Sequence, residues 1–247
     1  RDLVRSRGLG DVYKRQSPSR LALEETILRL YGPNGDGLII PGNVASFTYA
    51  DLDTAITQIS DPDNIVIANI QRSEWLVFLQ TSRNPNRPGS GALSRFLSET
   101  PELLQDKTIV VFSLNAPYYL NATEISTVTA YYGLYSKQPQ FIEVAARLLF
   151  KEVTASGASP VSINSVGYVI EQALTPNSSQ VITLRTENQS AAPVEEDSST
   201  PQPGDSFTQG DSMTLATGAI LDYNGNRVPD NTLVRFTLIN TSPEGIS

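Results

Sequence analysis

Apolar residues recur at helical spacing at Leu21, Leu23, Ile27, Leu28 and Leu30, which predicts a helix stopped by Gly32 and Pro33. A second helix is expected from Thr48, where Asp51 makes a variant of the capping box and Leu52, Ala55, Ile56 and Ile59 line one face. Three short runs then lose that periodicity: IVIANI at 65–70, WLVFL at 75–79 and IVVFSL at 109–114. Unbroken apolarity over so few residues predicts strands covered on both faces, the habit of parallel sheets. Between the last two runs Ala92, Leu93, Phe96 and Leu97 mark an amphipathic helix, giving the order strand, helix, strand. The Tyr-rich stretch 130–135 reads as a further strand. Residues 141–150 form the strongest helical pattern, with Phe141, Val144, Ala145, Leu148 and Leu149 on its apolar face. The turn SGASP at 156–160 is expected to end that helix, and a short strand to begin at 161–163. The alternation argues for an α/β three-layer sandwich with a mostly parallel sheet, flavodoxin-like in its layering.

Both ends depart from this pattern. Residues 1–20 hold Arg1, Arg5, Arg7, Lys14, Arg15 and Arg20 against Asp2 and Asp11, without helical or alternating periodicity. They read as an unstructured segment foreign to the domain, of the kind translated from the end of an assembled sequencing read, or else as a basic arm for an acidic partner. Residues 21–185 make the main domain. Residues 186–206, rich in Ser, Pro, Glu and Asp and poor in large apolar groups, cannot bury enough surface to offset the entropy of ordering and read as a disordered acidic linker. In 207–247, apolar runs at 212–221 and 233–239 flank a turn containing Asn224-Gly225, which predicts a hairpin. A hairpin is marginal alone, so this segment is expected to be a truncated, partial all-β immunoglobulin-like domain.

Composition narrows the chemistry. The 247 residues carry 18 Lys plus Arg against 26 Asp plus Glu, a net charge of -8; without residues 1–20 the balance is 12 against 24, or -12. Such a field repels phosphate backbones, so no nucleic-acid partner is expected. There is no Cys and no His, which removes thiol nucleophiles, zinc ribbons and the usual proton shuttle at neutral pH. No metal site and no cofactor are expected, and no apolar run is long enough for a membrane span.

Several stretches carry a resemblance. KTIVVFSLNAPYYL at 107–120, the Tyr-rich strand, AARLLF at 145–150 and SGASPVSI at 156–163 follow one another in the order and spacing that resemble the C-terminal α/β sandwich domain of glycoside hydrolase family 3, closest in flavour to its bacterial β-N-acetylhexosaminidase-like branch. The resemblance covers about residues 38–168. Gly157-Ala158-Ser159-Pro160-Val161 stands where that family has a Gly-x-Leu-Pro-Val closing motif, with Ser159 in place of Leu and Lys151 where a Gly often follows the Leu-Phe. Residues 221–237 resemble the invasin-type bacterial immunoglobulin-like repeat. The resemblance implies a fragment of an exported, extracellular or cell-surface enzyme that hydrolyses β-N-acetylhexosaminides or β-glucosides. Its nucleophilic Asp, and the acid His of the hexosaminidase branch, sit in an N-terminal barrel that would share the carbohydrate substrate with this domain. A domain of 165 residues cannot also hold a barrel of about 250. No catalytic residue is therefore assigned, and the alternative is a non-catalytic carbohydrate-binding or cell-surface interaction module.

A self-contained glycosidase would need two carboxylates about 5 to 9 Å apart across a sugar-binding cleft. Asp51 and Asp53, Asp61 and Asp63, and Glu99 and Glu102 are close in sequence but are better explained by helix termini and a turn. Ligands of open α/β sheets bind at the carboxyl ends of strands. The loop TSRNPNRPGS at 81–90 follows a strand and offers Arg83, Asn84, Asn86 and Arg87 as substrate-binding candidates, with Asn115 after the next strand; the other reading is a solvated Pro/Asn turn. Tyr118 and Tyr119 read as packing residues. The GPNGDG stretch at 32–37 lacks a phosphate-loop ending, and Asp222-Tyr-Asn-Gly-Asn226 lacks the closing Glu of a calcium loop.

Overall fold

The computed structural model describes residues 21–186 and 214–237. The expectations for 1–20, and for all but the first residue of the 186–206 linker, lie outside the described residues. The chain divides into two compact units, one running through Val169 and the other beginning at Ile170.

The first unit is mixed α/β. Its elements are α1 (Ala22–Tyr31), α2 (Tyr49–Thr57), α3 (Ile65–Arg72), β1 (Trp75–Gln80), α4 (Ala92–Glu99), α5 (Pro101–Leu104), β2 (Thr108–Ser113), α6 (Ala122–Ser126), β3 (Ala130–Gly133) and α7 (Pro139–Leu149). The strands form a parallel sheet in the order β1-β2-β3. Trp75 to Gln80 lie against Thr108 to Ser113, and Val110 to Ser113 against Ala130 to Gly133. Alternation along the strands feeds two cores, because successive side chains leave a sheet on opposite faces. Leu76, Ile109 and Val111 pack with α2, α3, α4 and α5 on one face. Val110, Phe112 and Leu114 pack with α1 and α7 on the other. A sheet flanked by helices on both faces results.

Local signals explain most of these elements. Thr48 and Asp51 make a full capping box: the Asp51 N–H donates to the Thr48 hydroxyl at 3.1 Å, and the Thr48 N–H donates to Asp51 Oδ2 at 2.8 Å. Besides Ile59, which lies beyond the end of α2 and is exposed, three sequence expectations need correction. The run at 65–70 is helix α3, not a strand. Asn64 caps it by accepting the Ile67 N–H at 3.1 Å, and Ile67 and Ile70, three apart, are buried among α2 and α4 residues. An unbroken apolar run does not distinguish a buried helix from a strand; here the packing of Ile67 and Ile70, together with the Asn64 cap, favours the helix.

The second correction concerns α7, which buries Ile142, Ala145, Ala146 and Leu149 while Phe141 and Val144 stand exposed. Gln140, Glu143 and Arg147 make a polar stripe along the helix and the four buried residues lie opposite it, so the expected face, which included Phe141 and Val144, sits too far round the helix. The two alanines let α7 pack closely beside α1, and Phe150 stacks on Tyr31 with ring centroids 3.6 Å apart. The third is the strand expected at 161–163, which reduces to a single bridge between Ile163 and Tyr168.

α7 also ends before the SGASP turn. Lys151 takes a left-handed conformation (φ 60°), with the Glu152 N–H on the Arg147 carbonyl at 3.0 Å and the Lys151 N–H on the Leu148 carbonyl at 3.1 Å. This is the helix stop that normally recruits glycine, because a Cβ is strained there. Replacing Lys151 with glycine is expected to stabilise the unit by about 1 kcal/mol. Urea unfolding should show a raised midpoint at unchanged slope; an unchanged or lowered midpoint contradicts it.

The second unit contains α8 (Ile170–Ala173), β4 (Leu184–Thr186) and β5 (Leu215–Thr217), with β4 and β5 antiparallel. The pairing differs from the expected hairpin: β5 joins β4, and residues 233–237 carry no strand. Asn224-Gly225 does sit in a tight turn, closed by a bridge between Leu221 and Arg227. Asp222 organises that turn, its Oδ1 accepting the N–H groups of Asn224 and Asn226 at 2.9 and 2.8 Å. Among the described residues no hydrophobic side chain beyond Leu149 is buried, so an immunoglobulin-like sandwich is not seen.

Candidate functional site

The parallel arrangement delivers two loops to one end of the first unit, residues 81–91 after β1 and 114–121 after β2. Three contacts pin the first loop. The Asn115 side-chain oxygen accepts the Ser82 N–H at 3.2 Å while its nitrogen donates to the Leu114 carbonyl at 3.1 Å, in the amide orientation that satisfies both. Arg87 donates to the Thr81 hydroxyl. Gly89, at φ 71°, lies so close to α2 that a Cβ would come within 2.2 Å of the Tyr49 carbonyl oxygen. Asn84 folds the tip, accepting the Asn86 N–H on Oδ1 at 2.9 Å.

Of the five sequence candidates, Arg83 alone lines a cleft of about 530 Å³ at this end. Asn84, Asn86 and Arg87 build the loop that carries it, and Asn115 ties that loop to the neighbouring one. The cleft's other walls come from Tyr118, Tyr119, Leu120, Asn121 and Glu124 on the β2–α6 connection, and from Ser162, Asn164 and Ser165 beyond α7. Residues 164–166 form a single 3₁₀ turn packed beside α6. The segment before it is held by hydroxyls. Ser159 pairs with the Tyr135 hydroxyl at 2.6 Å, and the Tyr168 hydroxyl donates to the Ser159 carbonyl at 2.9 Å. Ser159 thus holds this segment through both its hydroxyl and its carbonyl.

Glu124 is the residue that sequence reading missed. Its side chain is 7% exposed, while that of Arg83 is 47% exposed. Glu124 Oε2 accepts the Asn121 N–H at 2.8 Å, and Asn121 Oδ1 accepts the Glu124 N–H at 2.9 Å, a reciprocal cap on α6. Oε1 is left 3.7 Å from Arg83 Nη2, beyond hydrogen-bond distance. Arg83 Nη2 also reaches the Ser94 hydroxyl on α4. The spacing Asn121-Ala-Thr-Glu124 is the available signal, a capping box on the helix that follows β2.

Below the cleft, polar side chains gather at the strand ends. Tyr131 donates to Gln80 Oε1 at 3.1 Å, and Ser113 donates to the Asn115 carbonyl at 2.9 Å. Gln80 and Ser113 are buried. Burial pushes the Tyr131 phenol up to about 12, and pushes Tyr49 up as well, with Tyr131 as a secondary cause. These phenols stay neutral throughout the neutral range and act as hydrogen-bonding groups, not as charges.

Four of the six carboxylates in the glycosidase pairs are engaged elsewhere. Asp51 caps α2, Asp53 and Glu99 both pair with Arg95, at 2.7 and 3.3 Å, and Asp61 accepts the Asp63 N–H at 2.9 Å in a turn. The cleft itself is lined by a single carboxylate. Among the described residues no cluster of three acidic side chains is placed to hold a metal ion, and no helix is long and apolar enough to cross a membrane. No protein-family model matches the chain, and neither a curated protein nor a solved structure matches it.

Proposed function

We propose that the first unit is an accessory, non-catalytic α/β domain of the glycoside hydrolase family 3 C-terminal type, contacting carbohydrate through the cleft at its strand ends. The observation that carries this reading is the lining of that cleft. One guanidinium, one carboxylate, side-chain amides, hydroxyls and two tyrosines supply hydrogen bonds of both senses beside aromatic surface. Tyr118, expected as a packing residue, is instead well exposed there and meets Tyr119 edge-on, with centroids 6.3 Å apart. A single carboxylate cannot divide the acid and nucleophile or base roles of glycoside hydrolysis. Cleavage of β-N-acetylhexosaminides or β-glucosides is therefore proposed to need a barrel domain outside these 247 residues, within an exported enzyme. The finer description of residues 207–247 as part of an invasin-type immunoglobulin-like spacer belongs to the same proposal and rests on the sequence pattern at 221–237.

The test is direct. The purified chain, incubated with 4-nitrophenyl β-glucoside and 4-nitrophenyl N-acetyl-β-glucosaminide, should release no nitrophenol, while amide chemical shifts around Arg83 and Glu124 should move on titration with the corresponding methyl glycosides. Turnover by the pure chain would overturn the non-catalytic reading. Shifts elsewhere, or none, would overturn the assignment of the cleft.

A further inference from the structure

Glu124 and Arg83 present an acceptor and a donor side by side without satisfying each other. The Glu124 side chain is almost fully buried at the cleft wall, with Oε2 committed to its helix cap and Oε1 on the side of Arg83. Arg83 Nη2 stands 3.7 Å away, anchored from behind by Ser94. A gap of that size between opposite charges is where a bridging oxygen gains most, because a hydroxyl can donate to the carboxylate while accepting from the guanidinium. Two hydroxyls on adjacent ring carbons suit the pair better than one, since each oxygen then meets one partner in a parallel fork.

Resting on the carbohydrate reading above, we infer that Arg83 and Glu124 form a clamp for a vicinal diol of a neutral sugar. Neutrality follows from the same pair. A carboxylate or phosphate on the ligand would be drawn to Arg83 but would face Glu124, whose charge is buried and has little water to screen it. An amine would meet the reverse conflict at Arg83. A neutral diol satisfies both and leaves no buried charge unpaired. The rigidity of the arrangement supports a clamp over a chance contact. Glu124 is fixed by its reciprocal cap and Arg83 by Ser94, while Asn115 and Gly89 hold the ends of its loop. These tethers lower the side-chain freedom lost on binding, most at Glu124.

The experiment uses the full chain and two probes, methyl β-D-glucopyranoside and its 3-deoxy analogue. Loss of the 3-hydroxyl removes both vicinal pairs of the ring in one step. Glu124→Gln is the diagnostic variant, because glutamine keeps the acceptor needed for the α6 cap while removing the charge; circular dichroism confirms its fold. The clamp predicts at least a tenfold loss of affinity for the 3-deoxy sugar by NMR titration. It also predicts a tenfold loss for the parent sugar in Glu124→Gln, and no further loss for the 3-deoxy sugar in that variant. Equal binding of the two sugars by the wild-type chain, or unchanged affinity in Glu124→Gln, overturns the clamp and leaves the carbohydrate reading standing. Absence of binding to either sugar by the wild-type chain overturns both.

Discussion

Replacing Phe112 with alanine is expected to destabilise the first unit by about 3–5 kcal/mol and to lower its thermal midpoint on the order of 10 °C. Phe112 is wholly buried on the central strand β2. Its ring lies 5.4 Å from that of Tyr132 on β3, nearly parallel, within the core that α1 and α7 cover. The truncation removes the transfer energy of the ring and opens a cavity that β1 and β3, hydrogen-bonded on either side, hinder from closing. Phe236→Ala provides the contrast, because that ring is 55% exposed and its loss should change stability little. Chemical denaturation followed by far-ultraviolet circular dichroism measures both. A loss below about 1 kcal/mol for Phe112→Ala would contradict the placement of β2 between two helical layers.

The second large effect is expected at Gly89. Alanine there must hold a left-handed φ of 71° and place its Cβ about 2.2 Å from the Tyr49 carbonyl oxygen. The first term costs about 1–2 kcal/mol. The second forces backbone to move and adds about 1–3 kcal/mol. The loop is tied to the rest of the sheet by Asn115 at its other end, so strain at Gly89 is relieved by shifting the segment that carries Arg83. Gly89→Ala should therefore weaken both folding and sugar binding. Gly91, two residues on, is the control: it has an ordinary negative φ and nothing within 4 Å of an added Cβ. Gly91→Ala should be close to neutral in both measurements. Equal behaviour of the two variants in denaturation and in titration would show that the loop is not braced against α2.

Much of the first unit is legible where a local signal has one solution. Thr48 with Asp51 marks a helix start because hydroxyl and carboxylate satisfy N–H groups that have no helical partner. WLVFL and IVVFSL are strands because both faces of a covered sheet want apolar side chains. IVIANI has the same composition and folds as a helix, since Asn64 caps it and the contacts of Ile67 and Ile70 outweigh strand preference. For α7 the polar stripe of Gln140, Glu143 and Arg147 already marks the side opposite the buried face. Ala145 and Ala146 lie on that buried face, where their small side chains let α7 pack beside α1.

The cleft shows the same division. Arg83 and Asn115 were identifiable from their position after apolar strands, since loops at the carboxyl ends of a parallel sheet converge. Glu124 was not, because in the sequence it is one more acidic residue near a short helix. It becomes part of a site only when the parallel register sets the loop after β2 beside the loop after β1, and when burial leaves one of its oxygens facing Arg83. Ser162, Asn164 and Ser165 enter the cleft for the same reason, arriving from beyond α7.

By itself, then, the sequence determined the alternation of helices and strands, the parallel habit of the apolar runs, the cap at Thr48 and the turn at Asn224-Gly225. These depend on neighbours within a few residues. Tertiary structure decided whether 65–72 is helix or strand, which strand β5 joins, and which carboxylate meets Arg83. Each of those depends on partners distant in the chain, and their free energies are set by burial and geometry that no local window contains.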